Sequence, residues 1–403
     1  MKFKTLNDFD FKDKLVLLRI DINSPVVNRK VEDNPRFSQA AITIRELLDK
    51  KAKLVILAHQ GRKGDKDFLE TLEQHAEILS SHAEKQISYL DDLFGPGILS
   101  ALNSIESGEA ILLKNVRCFD DESIIENSRY PSLCRMFNIY VNDAFSVSHR
   151  KQGSIVIPPK FLPSCIGRSF EKEINALSRF KIKKDQKAVY LIGGQKIDDY
   201  LPLFNVLNNK NNKILASGVL ANLFLISQGK LLGYENKWVK QQRYDKLIPK
   251  LKEIYSKYKE QIVLPIDFAV GNEDITKAER KEIQLSDFPT NDKIWDTGHK
   301  TVELFKEELK DAKIIFMKGP LGYSEIKQFS HPTIEILKEI SNLTKNNHVF
   351  SLLGGGHLTT TAERHNIHGF SHISLSGGAL IAFISGEKLP GIEALEKGIG
   401  KDI

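Results

Sequence analysis

The sequence predicts an α/β protein built from two doubly wound, mainly parallel-sheet, Rossmann-like domains joined by a helical hinge. Three observations predict it. Short β-branched runs alternate with helical stretches along all 403 residues, the pattern of βαβ units. Such runs number ten, which sits at the upper limit for one strongly twisted open sheet and favours two. A stretch holding Pro158, Pro159 and Pro163, followed by a helical run over Ser169–Phe180, separates two sets of strands.

The elements follow in order. In the first half the strands are expected at Leu15–Ile20, Lys53–Ala58, Ala110–Lys114 and Ile139–Val141. Between the first two, Ala41, Ile44, Leu47 and Leu48 recur at helical spacing within Ser38–Lys51. In the second half the strands are expected at Ala188–Ile192, Lys213–Ala216, Gln261–Pro265, Lys313–Met317, His348–Leu352 and His372–Leu375. Helices are expected at Thr333–Ile340 and Thr359–His365, and a polar loop at Asn208–Asn212. The expected division is residues 1–165, a hinge helix over 166–184, and residues 185–391.

Composition narrows the class. Lys and Arg total 58 against 52 Asp and Glu, a net charge of +6 that suits anionic ligands but is small for a dedicated nucleic-acid binder, and the lysines read as dispersed. Three cysteines, Cys118, Cys134 and Cys165, form no CxxC pair, which argues against a disulfide framework and for a reducing compartment. The opening MKFKTLNDFDFKDK has no apolar core of a signal peptide, and no apolar run approaches the roughly 18 residues of a membrane span, so a cytoplasmic protein is expected, with no nucleic-acid or membrane partner.

In open α/β sheets, ligands bind beyond the carboxyl ends of the strands. The first-half strands run into Asp21-Ile22-Asn23, His59-Gln60-Gly61-Arg62, Asn115-Val116-Arg117, and Asn142-Asp143 with His149-Arg150 shortly after; Arg36 precedes the first long helix. If those strands share one sheet, four arginines and two histidines meet on one rim. Clustered guanidinium forks repel one another unless an anion neutralises them, and they suit phosphate and carboxylate oxygens. One such arginine alone is more simply a solvated residue or a partner of a nearby Asp, as Asp21 could be for Arg19; the set together indicates a small, multiply anionic ligand. The second-half strands run instead into glycine loops: Gly193-Gly194-Gln195-Lys196, Lys318-Gly319-Pro320-Leu321-Gly322, Gly354-Gly355-Gly356-His357 and Ser376-Gly377-Gly378. Loops of this kind before helix N-termini suit phosphates and a nucleotide. Neither a GxGxxG fingerprint nor a GxxxxGK[ST] loop is present, and the protein-kinase signatures are absent, so a nicotinamide-dependent dehydrogenase, a P-loop enzyme and a protein kinase are all disfavoured.

The motifs together resemble the phosphoglycerate kinase family, its archaeal form most. Leu17-Leu18-Arg19-Ile20-Asp21-Ile22-Asn23-Ser24-Pro25 is similar to LLRVDxNVP, His59-Gln60-Gly61-Arg62 to HLGRP, Asn115-Val116-Arg117 to ENxRF, and Tyr140–Phe145 with His149-Arg150 to YVNDAFxxxHR. Gly193–Lys196 resembles GGAK, Lys318–Gly322 with Glu325 resembles NGPxGxxE, Gly354–His357 and Gly377-Gly378-Ala379 resemble the terminal glycine motifs, and Leu389-Pro390-Gly391 the closing LPG. The chain departs from the family at Lys114 (usually Glu), Tyr200 (a second lysine elsewhere), Lys318 (usually Asn), His357 (an Asp that helps hold metal elsewhere) and Ser376.

The resemblance implies a glycolytic and gluconeogenic transferase that moves a phosphoryl group between ATP and the carboxylate of 3-phosphoglycerate. It implies a first domain that binds 3-phosphoglycerate or 1,3-bisphosphoglycerate, with residues 392–403 packing back on it, and a second domain that binds ATP or ADP. Asp21, Asn23, Arg36, His59, Arg62, Arg117 and Arg150 would bind the acid. Gly193, Gly194, Lys196, Pro320, Glu325, Gly354, Gly355, Gly356 and His357 would bind the nucleotide, with Glu325 on the ribose. Arg36, Lys196, Gly354 and Gly377 would act on the transferring group. Mg²⁺ would ride on the nucleotide with no protein ligand, a monomer or weak homodimer is expected, and hinge closure would bring the ligands together and exclude water.

Overall fold

A computed structural model describes residues 3–180, 185–346 and 349–398 of the chain. They fall into two compact units, Met1–Ser178 with Glu387–Ile403, and Arg179–Gly386.

The first unit contains β1 (Leu15–Arg19), β2 (Val26–Val27), β3 (Lys30–Val31), β4 (Lys53–Leu57), β5 (Ile87–Leu90), β6 (Ala110–Leu113), β7 (Ile139–Asn142) and β8 (Ser164–Ile166). Six of these form one parallel sheet in the order β5-β6-β4-β1-β7-β8, while β2 and β3 make a small hairpin. Strand side chains alternate between faces. Val16, Leu18, Leu54 and Ile56 enter one apolar layer, and Leu17, Val55 and Leu57 enter the other. That two-sided burial explains why these strands read as unbroken apolar runs. The sheet has its switch in direction at β1, because the chain winds outward through β4 to the edge strand β5, steps back to β6, and then places β7 on the other side.

The helix Pro35–Asp49 makes the crossover from β1 to β4. Asn34 caps it, its side chain accepting from Arg36 N at 2.9 Å, and proline occupies the first turn. Phe37, Ala41, Ile44 and Leu48 anchor it to the sheet, which fixes Arg36 at its N-terminal end. The helix Arg168–Arg179 begins in this unit: Arg168 pairs with Glu46 at 2.6 Å and Glu171 at 2.7 Å, and Phe170 N donates to Asp143 Oδ1 at 2.9 Å. Residues 181–184 of the expected hinge lie outside the described residues. The chain's last described helix, Pro390–Lys397, belongs to this unit, where Gly391 N donates to Ser148 O at 2.9 Å; residues 399–403 lie outside the described residues.

The second unit contains β9 (Ala188–Ile192), β10 (Lys213–Ala216), β11 (Ile262–Val263), β12 (Asp267–Gly271), β13 (Lys281–Gln284), β14 (Lys293–Thr297), β15 (Ile314–Lys318), β16 (Phe350–Gly354) and β17 (His372–Ser374). Its six-stranded parallel sheet runs β11-β10-β9-β15-β16-β17, and β13-β12-β14 form a separate antiparallel sheet. The two parallel sheets match the predicted class. Three differences stand out. The antiparallel sheet was not anticipated, because segments such as Lys-Glu-Ile-Gln in β13 are half exposed and too polar to read as strands. β5 and β8 were also missed, being short and flanked by turns. The expected strand from His348 begins outside the described residues, and the strand itself is Phe350–Gly354. No helix among the described residues is long and apolar enough to cross a membrane.

Candidate functional sites on the two units

The four strands whose ends carry Asp21, His59, Arg117 and Arg150 are neighbours, β6-β4-β1-β7. Their register is level: Arg19 lies opposite Leu57 on one side and Asn142 on the other. The loops that follow therefore leave the sheet at one height, where parallel α/β sheets place their ligands.

Asp21 stands at the middle of this rim. Arg36 reaches it from the helix start, and the Ser146 hydroxyl donates to it from the loop after β7. Asn23 N donates to its Oδ1 at 3.0 Å. Burial by itself would raise the Asp21 carboxyl, but Arg36, His59, Ser146 and Asn23 outweigh it and hold the group well below the usual carboxylate range. The alternative pairing of Asp21 with Arg19 does not occur; Arg19 faces Glu122 at 3.8 Å. Arg36 itself sits in a helix first turn, where a cation opposes the helix dipole. Such a placement favours an anion beside it.

The other loops interlock. Asn23 Oδ1 accepts from Gly61 N at 2.8 Å, and Arg117 Nη1 donates to Gly61 O at 2.6 Å. Asn115 Nδ2 donates to Gln60 O at 2.9 Å, and its Oδ1 accepts from Arg117 N at 3.0 Å. The Arg117 guanidinium is lowered to about 10, by burial first and then by Arg150 and Arg19. A buried guanidinium with further arginines beside it suits a negatively charged neighbour. Arg62 is exposed, and its guanidinium has no ion pair or hydrogen bond among the described residues. Arg150 lies half-buried beside His149, with Nε 3.3 Å from His149 Nε2. His59 is 3% exposed, below the rim, and burial followed by the charges of Arg19, Arg117 and Arg36 pushes its pKa well under the ordinary value despite Asp21.

In the second unit five strand ends are level: Ala216, Ile192, Lys318, Gly354 and Ser374 are successive register partners. The residues after them form a row of glycine-bearing loops. Gly193 and the loop after β15 are packed so closely that a Cβ on Gly193 would lie 2.0 Å from Pro320 O. Gly319 has φ of +76°, and a Cβ there would lie 2.5 Å from Gly193 O. Only glycines permit this approach. The helices Gly218–Ser227, Gly356–Arg364 and Gly377–Ile384 all start from these loops, and none has a side-chain cap bond. The helix starts thus lack side-chain caps, although Val219 N donates to Gly194 O at 3.3 Å, and their positive dipole ends suit an anion.

Charged groups of this second set are placed as follows. Lys196 is exposed with no ion pair among the described residues. Lys318 sits beside Gly355, whose hypothetical Cβ would be 3.7 Å from its Nζ. Glu325 accepts from His357 Nδ1 at 2.6 Å, a pairing that no local sequence pattern signals. Tyr200 is 4% exposed and donates its hydroxyl to Gly193 O at 3.0 Å, so it ties the loop after β9 instead of facing ligand. Tyr200→Phe should therefore cost about 1 kcal/mol of stability, the worth of one hydrogen bond, measurable by denaturant unfolding. Cys134 and Cys165 are buried and act as packing groups, with burial raising both thiols. Ser146 and Arg19 were missed by sequence reasoning; Ser146 carried no signal beyond lying in the loop that also bears Asp143 and Arg150.

Comparison with known proteins places these features in context. A family model described as phosphoglycerate kinase matches residues 6–387. The chain is 37% identical to a phosphoglycerate kinase of Methanothermus fervidus, covering 98% of this chain and 97% of that protein. It is 39% identical to one of Methanococcus maripaludis, covering 99% of each. Among solved structures, the phosphoglycerate kinase of Pyrococcus horikoshii OT3 aligns with a TM-score of 0.87 at 34% identity over 97% of this chain and 98% of that one. That of Coxiella burnetii aligns with 0.79 at 27% identity over 98% and 99%.

Proposed function

Since this chain belongs to the phosphoglycerate kinase family, we propose that its two units divide that reaction's ligands, the arginine rim taking 3-phosphoglycerate and the glycine loops taking ATP. The enzyme is a phosphotransferase with a carboxyl acceptor, converting ATP and 3-phosphoglycerate reversibly to ADP and 1,3-bisphosphoglycerate. The observation that carries the division is the rim itself: Arg36, Arg62, Arg117 and Arg150 follow level strand ends or the helix start beside them, with Arg117 lowered by burial and then by Arg150 and Arg19.

On this reading Arg62, Arg117 and Arg150 hold the 3-phosphate, and Asp21 and Asn23 orient the glycerate. His59 lends an N–H from below. Arg36 lies against the carboxylate and the group in flight. The carboxylate is already ionised, so no general base is required, and catalysis consists of positioning and charge neutralisation. On the nucleotide side, the N–H groups at Gly354–His357 and at Gly377 and Gly378, with Lys196, neutralise phosphate oxygens. Gly193, Gly194 and Pro320 form the wall for the nucleotide, and Glu325, steadied by His357, takes ribose hydroxyls.

Mg²⁺ would enter on the ATP phosphates. The loops offer mainly N–H donors and lysines, which suit anions, and the Glu325 Oε1 is already engaged by His357. Mg²⁺ would supply neutralisation of the β- and γ-phosphate oxygens. Transfer between ligands on separate units requires hinge bending, which we assign to residues 166–184, between domains of 1–165 with 392–403 and 185–391. A cytoplasmic monomer or weak homodimer, with no nucleic-acid or membrane partner, completes the proposal.

A coupled assay with 3-phosphoglycerate and MgATP tests it: turnover dependent on both is expected, and none from the folded chain would defeat it. Arg62→Ala is expected to raise KM for 3-phosphoglycerate about tenfold with kcat little changed, because a ground-state phosphate contact is lost. An unchanged KM would remove Arg62 from the phosphate grip.

A further inference from the structure

Beneath the rim of the first unit lies a charge that the reaction as described does not use. Arg19, the last residue of β1, is 0% exposed. Its Nε donates to Ser154 Oγ at 2.9 Å, its Nη1 to the Ile20 carbonyl, and its Nη2 lies 3.8 Å from Glu122 Oε1. Glu122 is buried in turn. It accepts from Ser154 N at 3.0 Å, Ser154 Oγ at 2.8 Å and the Tyr130 hydroxyl at 3.0 Å. Burying an ion pair of this kind is costly unless its hydrogen bonds are satisfied, and here they are.

Arg19 has one more contact. Nη2 lies 3.1 Å from His59 Nδ1. A guanidinium has donors only. His59 Nδ1 must therefore present its lone pair, and the ring proton must sit on Nε2. We propose that Arg19, held by Glu122, is a positioning residue that fixes His59 as the neutral Nε2–H tautomer and turns that N–H toward the Asp21 side of the rim, where, on the reading above, 3-phosphoglycerate binds.

The surroundings agree from every side. Asp21 faces His59 from the loop after β1, Arg117 from the loop after β6, Arg36 from the helix start, and Arg19 from β1. Three guanidiniums against one carboxylate disfavour a fourth cation. His59 Nε2 is 3.9 Å from Asp21 Oδ1, too far for a hydrogen bond, so the N–H remains available to a ligand oxygen. An imidazole free to titrate at this point would make substrate affinity change with pH around neutrality. Locked, it contributes direction, and the arginines contribute the charge.

Nitrogen-15 NMR of the full chain without ligand tests the lock independently of what the site binds. His59, assigned by the signals lost in His59→Gln, should show a protonated Nε2 and an unprotonated Nδ1 from about pH 5.5 to 8, the range in which an ordinary histidine titrates. A titrating ring or an Nδ1–H form would overturn the proposal, whatever the function. In kinetics, Arg19→Met should raise KM for 3-phosphoglycerate about tenfold, the loss of one directed hydrogen bond, leave KM for MgATP unchanged, and make the first KM newly pH-dependent. Arg19→Lys, which keeps the charge but donates as a point, should keep the low-pH resistance in part. A folded Arg19→Met enzyme with a wild-type KM that is flat with pH would overturn the positioning role even if the tautomer is as stated.

Discussion

Arg36→Ala is expected to lower kcat by roughly 10³-fold or more, the scale on which arginines at a transferring phosphoryl group act. The argument is geometric. Arg36 is fixed by a capped helix whose Phe37, Ala41 and Ile44 stay buried without it, so the variant should fold. It is part-exposed at the rim and tied to Asp21. A cation in a helix first turn gains little from the helix itself; Asp21 and, on the proposed reading, the ligand account for its position. Alanine leaves Asp21 its Ser146 and Asn23 donors, so substrate orientation should survive better than the chemical step. Arg36→Lys should fall between, because a lysine keeps the charge and loses the planar fork. Single-turnover kinetics at saturating ligands would check this, and a near-normal kcat for Arg36→Ala would remove Arg36 from its role.

Gly193→Ala is expected to have a large effect in the second unit. Its Cβ would meet Pro320 O at 2.0 Å and Ser217 Oγ at 2.8 Å, and the first of these is backbone that cannot rotate away. The loops after β9 and β15 would have to part. Overpacking of this kind costs about 1–3 kcal/mol or more, and the same displacement should weaken ATP binding by at least about tenfold, since every 1.4 kcal/mol is a factor of ten. Gly356 provides the comparison, because a Cβ there meets nothing within 4 Å. Gly356→Ala should leave the unfolding midpoint unchanged or slightly raised. Equal destabilisation of both variants would show that loop contact is not what Gly193 provides.

The two parallel sheets were legible because their strands are buried on both faces and read as apolar runs, as β1 and β4 do with Leu-Val-Leu-Leu and Lys-Leu-Val-Ile-Leu. The antiparallel sheet was not, since β13 and β14 mix charged and apolar residues and neither reads as an apolar run. The residues at strand ends were legible from their order after each strand. That they meet depends on strand order and register, which no local pattern carries. The partners were harder still. Arg19 reads as an ordinary strand residue, yet it is buried against Glu122, more than a hundred positions away in the sequence. His357 read as a missing acid; the structure shows it holding Glu325. Tyr200 stood where a ligand-binding lysine was expected and instead braces Gly193.

The division of ligands between the units is tested most directly by calorimetric binding of 3-phosphoglycerate and of MgADP, each measured separately on Arg117→Ala and Lys196→Ala. Arg117→Ala should weaken 3-phosphoglycerate at least about tenfold, the scale of a lost charge-assisted phosphate contact, and leave MgADP unaffected. Lys196→Ala should do the converse. Both substitutions weakening the same ligand, or Arg117→Ala weakening only the nucleotide, would contradict the division.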